Sequence, residues 1–212
     1  MKSIPRVFFN RPLSVGEVPR LEEDELKHLK VLRAEKGTPI ELVDGKGSLA
    51  HATFQGPVTR VEYHPPPPPS TLVAGVIEMP KLSWVVEKAC EMGLSRLVLY
   101  QAEKSKYILS STHRLERLLI SALKQSKNLY IPALTLATTL NNLEAGKTFL
   151  ADPSGVRAAA KLPPDSTVLV GPESGFSPKE KAQIQQYAKT VSFGQATLRT
   201  ETAMLIATWL IT

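Results

Sequence analysis

Two glycine-containing loops, each at the end of a predicted strand, are the segments of this chain best suited to chemistry. The first strand, Thr167–Val170, runs into 171–176 (GPESGF), and the second, at 190–194 (TVSFG), leads into 198–203 (LRTETA). A β-branched strand that ends in glycine and continues into a helix puts backbone amides at the carboxyl edge of a sheet, where open α/β sheets bind ligands. The two loops together predict a cofactor site.

Arg199 and Glu201 are the side chains of these loops that are best suited to catalysis. Thr200 is predicted to be the N-cap of the last helix, and Glu201 in its first turn complements the helix dipole. Glu201 therefore stays open between a structural and a functional role. A cation beside a helix N-terminus is unfavourable unless it serves an anion, so Arg199 is predicted to be functional.

The glycines of the two loops, Gly171, Gly175 and Gly194, suit a backbone that approaches a ligand closely, because glycine has no Cβ. Ordinary strand-to-helix turns are the alternative explanation for any one of them. No G-x-G-x-x-G follows a strand, which argues against a Rossmann-type nucleotide site.

Both loops and several shorter motifs occur in an order that resembles one family. GPESG and LRTETA carry most of the likeness, and the other motifs are Arg6, 28–33 (HLKVLR), Gly37, 79–81 (MPK), 91–93 (EMG), 124–126 (KQS) and Pro132. With this order and spacing the chain resembles the bacterial 16S ribosomal RNA (uracil-N3) methyltransferases, a branch of the SPOUT class of knotted methyltransferases. The resemblance covers nearly the whole chain.

The resemblance implies a fold, a cofactor and a substrate. The implied fold is α/β, a SPOUT-like parallel sheet with a C-terminal trefoil knot, preceded by a small PUA-like β-barrel domain that binds RNA. The implied activity is S-adenosylmethionine-dependent methylation of N3 of a uridine in 16S ribosomal RNA, by a homodimer. The single cysteine, Cys90, fits a reducing compartment, so the protein is expected to be cytoplasmic. A non-catalytic RNA-binding protein of the same fold and a SPOUT methyltransferase acting on transfer RNA are the alternatives.

Three sets of residues carry these expectations. The catalytic candidates are Arg199 and Glu201. The cofactor-binding candidates are Met79, Gly171, Pro172, Glu173, Gly175, Phe193, Gly194, Leu198, Arg199, Thr200 and Ala203. The RNA-binding candidates are Arg6, Arg33, Lys104, Lys106, Arg114, Lys124 and Lys127. The chain departs from the family pattern at Ser174, usually glycine, and at Lys104 and Asn128, usually arginine.

Composition and charge fit an RNA-binding protein without a metal. The 212 residues carry a net charge of +6, of which residues 1–64, with 10 basic and 9 acidic side chains, contribute little. Within 96–127, seven basic residues accompany only Glu103 and Glu116, which predicts a surface that attracts phosphates, unless it is merely a solvated helix face. One cysteine, Cys90, and four histidines give no metal-ligand spacing and no disulfide framework. Neither a signal peptide nor a membrane-spanning apolar stretch is expected.

Five consecutive prolines, Pro65 to Pro69, divide the chain into two predicted domains. The run favours extended polyproline II and is predicted to be a linker at 65–70, with a ligand for a proline-binding partner as the alternative. Before it, the 1–64 domain is predicted to hold a helix at 22–33 and short antiparallel strands at 39–43, 48–54 and 58–63, with a hairpin turn at 44–47 (DGKG).

After the linker, the 71–212 domain shows alternating strand and helix patterns, which predict a parallel sheet with crossover helices. Strands are predicted at 72–77, 97–101, 134–136 and 148–151 before the two loop strands, and helices at 81–92, 112–127 and just before Gly146. Ser177 with Glu180 predicts a capping box for the next helix. The last helix is apolar on almost every face, which predicts burial, in part against a second subunit.

Overall fold

The computed structural model describes residues 4–140, 143–158 and 160–212. It forms two compact units. The first consists of 1–66 with 120–131, and the second of 67–119 with 132–212. One boundary therefore lies inside the proline run, and 120–131 belongs with the first unit. Of the predicted domains, 1–64 includes residues 1–3, and 71–212 includes 141, 142 and 159, all outside the described residues.

The first unit is built on a four-stranded sheet of order β1-β2-β3-β4. The predicted hairpin strands are confirmed, since β2 pairs antiparallel with β3 and β3 with β4. The first strand was not predicted, and it runs parallel to β2. Three residues are too few for an alternating pattern to show. The elements are β1 (Arg6–Phe8), α1 (Glu23–Val31), β2 (Pro39–Val43), β3 (Ser48–Thr53) and β4 (Val58–Tyr63).

The turn between β2 and β3 is stabilised by the Asp44 carboxylate, which accepts hydrogen bonds from two backbone amides and one hydroxyl of the turn. Asp44 accepts hydrogen bonds from the amides of Lys46 (2.8 Å) and Ser48 (3.0 Å) and from the Ser48 hydroxyl (2.7 Å). The apolar face of the sheet and Leu29 of α1 form the core of this unit. The segment between β1 and α1 is hydrogen-bonded to the start of β4, because Gly16 N donates to Val58 O and Val58 N donates to Glu17 O.

The second unit is a six-stranded, all-parallel sheet of order β10-β8-β9-β5-β6-β7 with helices between its strands. The predicted α/β architecture with a parallel sheet is confirmed. Its strands are β5 (Thr71–Gly75), β6 (Arg96–Tyr100), β7 (Ala133–Ala137), β8 (Thr148–Arg157), β9 (Thr167–Val170) and β10 (Ala188–Ser192). Its helices are α2 (Met79–Glu91), α4 (Pro178–Gln185) and α5 (Thr200–Ile211), and α3 (His113–Ser126) runs from this unit into 120–131.

The central strands β5 and β9 are almost fully buried, as expected for a parallel sheet covered on both faces. The last helix, α5, packs against α2, β5 and β9. It buries Met204, Ala207 and Leu210 and leaves Trp209 57% exposed in the single chain. Among the helices of the described residues, none combines the length and hydropathy that crossing a membrane requires.

Three local predictions are wrong. Arg199, not Thr200, is the N-cap of α5, and no side chain caps this helix end. Residues 145–147 form a turn where a short helix was predicted, and 141–142 lie outside the described residues. Strand β8 continues to Arg157 instead of ending at 151, although it contains Pro153 and Gly155, because it follows β10 past an irregularity in the pairing at Thr190/Val191.

Candidate active site

A cavity of about 330 Å³ lies where β9 and β10 end, beside the middle of β8 and against the first turn of α5. This is the carboxyl edge of the sheet, where open α/β sheets bind ligands. Both glycine-containing loops contribute to its wall. The lining residues are Ala151, Asp152, Pro153, Val170, Gly171, Pro172, Glu173, Ser174, Gly175, Phe176, Lys181, Val191, Ser192, Phe193, Gly194, Ala196, Leu198, Thr200 and Ala203.

The first loop is held close to the sheet by a glycine at the end of β5. A Cβ on Gly75 would lie 2.4 Å from the nitrogen of Pro172, so any larger residue would push this loop away. The loop closes through a hydrogen bond from Gly175 N to Pro172 O (2.8 Å). Gly175 has φ 68°, a backbone conformation that favours glycine. The close contact between Gly75 and Pro172 and the hydrogen bond within the loop together fix this wall of the cavity.

The helix after the first loop begins with the predicted capping box, which is confirmed. Ser177 Oγ accepts from Glu180 N (3.1 Å), and Glu180 Oε2 accepts from Ser177 N (2.7 Å). The other carboxylate oxygen accepts from Tyr100 Oη (2.8 Å) and Glu103 N (2.9 Å). Burial raises the pKa of Glu180, but hydrogen bonds from Ser177, Glu103 and Tyr100 lower it more, so its pKa lies below the ordinary value. Glu180 is therefore a buried carboxylate that joins three segments.

The second loop turns at Gly194 and ends at Arg199. Ser192 Oγ donates to Gly194 O (2.9 Å), and Gly194 has φ 153°. Arg199 is extended (φ −66°, ψ 149°), and its carbonyl accepts from Ala203 N (3.0 Å) in the first helical turn. The Arg199 side chain is exposed and takes part in none of the ion pairs of the described residues. The free amides at the start of a helix favour anions. Because Arg199 is the N-cap of α5, a cationic residue directly precedes these amides.

An ion pair forms the polar wall of the cavity. Lys181 Nζ lies 2.8 Å from Asp152 Oδ2, and Asp152 Oδ1 accepts from Ser154 N (3.0 Å) and Ser154 Oγ (2.7 Å). The hydrogen bond from Lys181 and those from Ser154 hold the pKa of Asp152 at about 2. Asp152 is therefore ionised at neutral pH, and it shares the cavity wall with apolar residues such as Val170 and Leu198.

Lys81 in the first turn of α2 lies among three carboxylates. Its Nζ is 2.8 Å from Glu78 Oε1 and 3.7 Å from Glu173 Oε1. The hydrogen bond to Glu78, and the negative charges of Glu78, Glu201 and Glu173, raise the pKa of Lys81 above its ordinary value. Lys81 is therefore a fixed positive charge near Glu201 and cannot act as a base at neutral pH.

Nine of the predicted cofactor-binding residues line this one cavity, and two do not. Met79 and Arg199 are absent from its wall, although Arg199 lies between two residues that belong to it. The lining residues among the predicted ones are Gly171, Pro172, Glu173, Gly175, Phe193, Gly194, Leu198, Thr200 and Ala203. Of the catalytic candidates, neither Arg199 nor Glu201 lines it, and both lie at the start of α5 beside it.

The predicted RNA-binding residues divide by their ion pairs. Arg6 is 8% exposed and binds Glu41 through Nε (3.0 Å) and Nη2 (2.8 Å), while Lys124 pairs with Glu25 at 2.7 Å. These two cations are neutralised within the first unit. The others are exposed and take part in none of the ion pairs of the described residues: Arg33, Lys104, Lys106, Arg114 and Lys127.

Several site residues were missed from sequence. Asp152 directly follows the predicted strand at 148–151, and this position at a strand end could have suggested it, although no glycine turn or helix follows there. Gly75 and Lys181 gave no local signal, because their roles depend on Pro172 and Asp152, which are distant in sequence. Lys81 lies in the MPK motif but was not assigned to the site.

Metal and thiol chemistry find no support in the described residues. Across 4–140, 143–158 and 160–212, no group of three or more potential ligands could hold a metal ion. Burial raises the pKa of the Cys90 thiol to about 12, and its Sγ lies 3.7 Å from Leu119 O. Cys90 is a core residue, since the thiolate is the reactive form.

The chain is similar to several proteins named as RNA methyltransferases. A protein of Aquifex aeolicus (strain VF5) named ribosomal RNA small subunit methyltransferase E is 29% identical over 213 residues, covering 90% of this chain and 92% of its own. The crystal structure of a ribosomal RNA small subunit methyltransferase E from Neisseria gonorrhoeae, bound to S-adenosyl methionine, superposes with a TM-score of 0.83 at 25% identity, covering 97% of this chain and 95% of that chain. A probable rRNA-methyltransferase from Porphyromonas gingivalis gives 0.83 at 27% identity, with the same coverage.

The profile described as RNA methyltransferase domain matches residues 64–212. This range contains the cavity, both loops and all of α5. The chain belongs to the RNA methyltransferase domain family.

Proposed function

We propose that this protein methylates N3 of a uridine in small-subunit (16S) ribosomal RNA, using S-adenosylmethionine. The observation that carries the proposal is the single cavity to which GPESG and LRTETA both contribute, in a chain of the RNA methyltransferase domain family. Relatives named ribosomal RNA small subunit methyltransferase E support the choice of RNA.

The cavity residues fit the cofactor. About 330 Å³ lies within the range of small-molecule sites, and the wall combines apolar side chains with backbone and two carboxylates. Val170, Leu198 and Ala203 would hold an adenine, and the backbone of both loops would hydrogen-bond it. Asp152 and Glu173 offer carboxylates to hydroxyl or ammonium groups. Bound there, S-adenosylmethionine supplies a methyl group on a positively charged sulfur.

The chain's own residues would then handle the charge and the proton. The N3 imide proton of uracil must leave before or during attack, and negative charge develops on the ring oxygens. Arg199, the N-cap of α5, and the free amides at the start of this helix would stabilise that charge. Glu201 is the candidate proton acceptor, and Lys81 keeps a positive charge near it. Because N3 lies on the Watson–Crick edge, the base must be unpaired or flipped out.

The finer features of the fold are proposed on the same basis. A trefoil knot is supported by α5, which follows the edge strand β10 yet packs against the central strands β5 and β9. Leu162 N also donates to Leu210 O (2.9 Å), so the segment before β9 crosses the end of α5. A PUA-like barrel in the 1–64 domain is supported by the bonds that join Gly16 and Glu17 to Val58.

A homodimer is supported by the exposure of two tryptophans. Trp84 on α2 and Trp209 on α5 are 44% and 57% exposed on helices that pack together. Large apolar side chains exposed on neighbouring helices are typical of a subunit interface. We propose that the dimer works in the cytoplasm, where ribosomal RNA is available.

Two other functions remain open, and one experiment separates all three. Ribosomal and transfer RNA nucleosides from a strain lacking the gene are compared by mass spectrometry with those of the parent strain and of strains complemented by the wild type or by Arg199→Ala. We expect loss of 3-methyluridine from small-subunit RNA, restored by the wild type only. Loss of a methylated nucleoside from transfer RNA would favour the transfer RNA enzyme. Unchanged nucleosides in both RNAs would favour a non-catalytic RNA-binding protein.

A further inference from the structure

The 103–108 loop, which joins β6 to α3, exposes both cations and apolar groups. Lys104 and Lys106 are exposed, Tyr107 is 42% exposed, and Ile108 is 87% exposed. The residues that flank the loop, Ala102 and Leu109, are 3% and 7% exposed. Its ends are therefore anchored in the core of the second unit, and its middle projects into solvent.

Two side chains outside the loop hold it in one shape. The Gln101 amide donates from Nε2 to Tyr107 O (2.9 Å) and accepts at Oε1 from Leu109 N (3.2 Å). The buried Glu180 carboxylate accepts from Glu103 N (2.9 Å) at the other end of the loop. Since Glu180 also caps α4, next to the first cavity loop, the 103–108 loop is attached to an element of the cavity wall. A loop fixed in this way loses little conformational entropy when it binds.

The charges on the loop are available to a partner. Neither Lys104 nor Lys106 takes part in an ion pair of the described residues, whereas Lys124 is paired with Glu25. Exposed cations beside an exposed aromatic ring are the combination that proteins use for single-stranded nucleic acid, because the cations meet phosphates and the ring stacks on a base. The RNA methyltransferase domain match over 64–212, which includes this loop, favours RNA over a protein partner.

We propose that the 103–108 loop is a preformed platform for an unpaired RNA strand, on which Tyr107 stacks against one base while Lys104 and Lys106 meet the neighbouring phosphates. Ile108 extends the apolar surface of the platform. This proposal rests on the proposed function, which makes RNA the substrate, and it adds a stacking residue to the cations. The platform would hold a strand next to the loop that forms the cavity.

The test measures binding of two labelled probes to the full-length protein, a 12-nucleotide oligouridine and an RNA duplex of equal length. Tyr107→Ala should weaken oligouridine binding about tenfold and leave duplex binding unchanged, since one stacked base is lost. Tyr107→Phe keeps the ring and should bind as the wild type. The matched control is Tyr187→Ala, because Tyr187 is 44% exposed elsewhere in the same unit. Lys104→Gln with Lys106→Gln should flatten the salt dependence by about 0.7 per lost phosphate contact.

Two results would overturn the platform. Wild-type affinity of Tyr107→Ala for oligouridine would exclude stacking, and a change of its sedimentation at equal concentration would assign Tyr107 to a contact between copies of the chain. Methylation of small-subunit RNA by the wild type is assayed in parallel. If that activity is absent, the proposed function is wrong. The oligouridine and duplex binding measurements with the variants still test whether the 103–108 loop binds an unpaired RNA strand.

Discussion

Arg199 combines exposure, a helix start and a cavity edge, and these features give it a distinct chemical environment. Its carbonyl accepts a hydrogen bond from Ala203 N, which fixes its backbone at the N-cap. Its side chain takes part in none of the ion pairs of the described residues. A cation in that position is costly to the helix, and the cost is explained if the side chain meets an anion during turnover.

Arg199→Ala is therefore expected to lower the chemical rate about 10²–10³-fold, if the guanidinium stabilises charge on the uracil oxygens. Cofactor affinity should change little, because Arg199 does not line the cavity. Single-turnover kinetics with saturating RNA measures the rate, and calorimetry measures cofactor binding. Arg157→Ala is the control, since Arg157 is an exposed arginine at the end of β8. A variant that loses only RNA affinity would contradict this role.

Glu180 shows how a local motif acquires long-range partners. Its carboxylate accepts from Ser177, Tyr100 and Glu103, and it is 3% exposed. Glu180→Gln should lower the free energy of unfolding by about 1–3 kcal/mol, because a buried donor is left unpaired. Denaturant unfolding at pH 7 checks this, with Glu144→Gln as the control at a 71% exposed side chain.

The pH dependence of that loss has a defined sign. The pKa of Glu180 is lower in the folded chain than its ordinary 4.5, so its stabilising effect is present above about pH 4.5 and is lost as the pH falls through the folded-state pKa. The difference in unfolding free energy between wild type and Glu180→Gln should therefore shrink below about pH 4.5. If the difference in unfolding free energy grows on acidification, the folded chain prefers the protonated form of Glu180, and this prediction is wrong.

At the scale of elements, α5 completes the cavity with its first turn. Ala203 lines the cavity from a helical position, where leucine is well tolerated by the backbone. Ala203→Leu should reduce S-adenosylmethionine affinity at least about tenfold, or about 1.4 kcal/mol, by filling the space. Gly194 is less suitable for such a test, because its φ of 153° would strain any larger residue.

Calorimetry with the folded variant measures that affinity. Ala133→Leu, the same substitution at an exposed position of β7, controls for added apolar volume. Wild-type affinity in Ala203→Leu would remove this cavity as the cofactor site.

Local patterns predicted most elements, and the exceptions have physical causes. The capping box depends on residues three apart and was found from sequence, whereas the bonds from Glu180 to Tyr100 and Glu103 depend on tertiary packing. The start of α5 was misassigned by one residue because threonine is a common cap and Arg199 is not. The polar stretch in β8 resembled a turn, and only its pairing with β10 makes it a strand.

The site was predictable where a glycine turn follows a strand and not where two distant residues meet. Gly171 and Gly194 were identified from their position after β-branched runs, and both line the cavity. The structure was needed to identify the roles of Gly75 and Lys181 and the group of charges around Lys81. The ion pairs of Arg6 and Lys124 also depend on the fold and could not be predicted from sequence. Because these two cations are paired, the exposed cations are the better candidates for RNA binding.

At the scale of the whole molecule, the exposed tryptophans predict assembly. We expect sedimentation at micromolar concentration to give twice the chain mass of 23.2 kDa. Trp84→Ser with Trp209→Ser should shift the protein toward monomer, because two large apolar surfaces leave the proposed interface. Tyr187→Ser is the control at similar exposure. A wild-type protein that sediments only as a monomer would refute the dimer.

The packing of α5 against β5 has a consequence for the order of folding. β5 begins the parallel sheet at Thr71, and α5, which ends at Ile211, contacts both β5 and β9. Contacts between such distant parts of a chain form late and slowly. Since Leu198, Thr200 and Ala203 belong to the cavity wall, a partly folded chain in which α5 has not yet reached β5 and β9 lacks one wall of the ligand site.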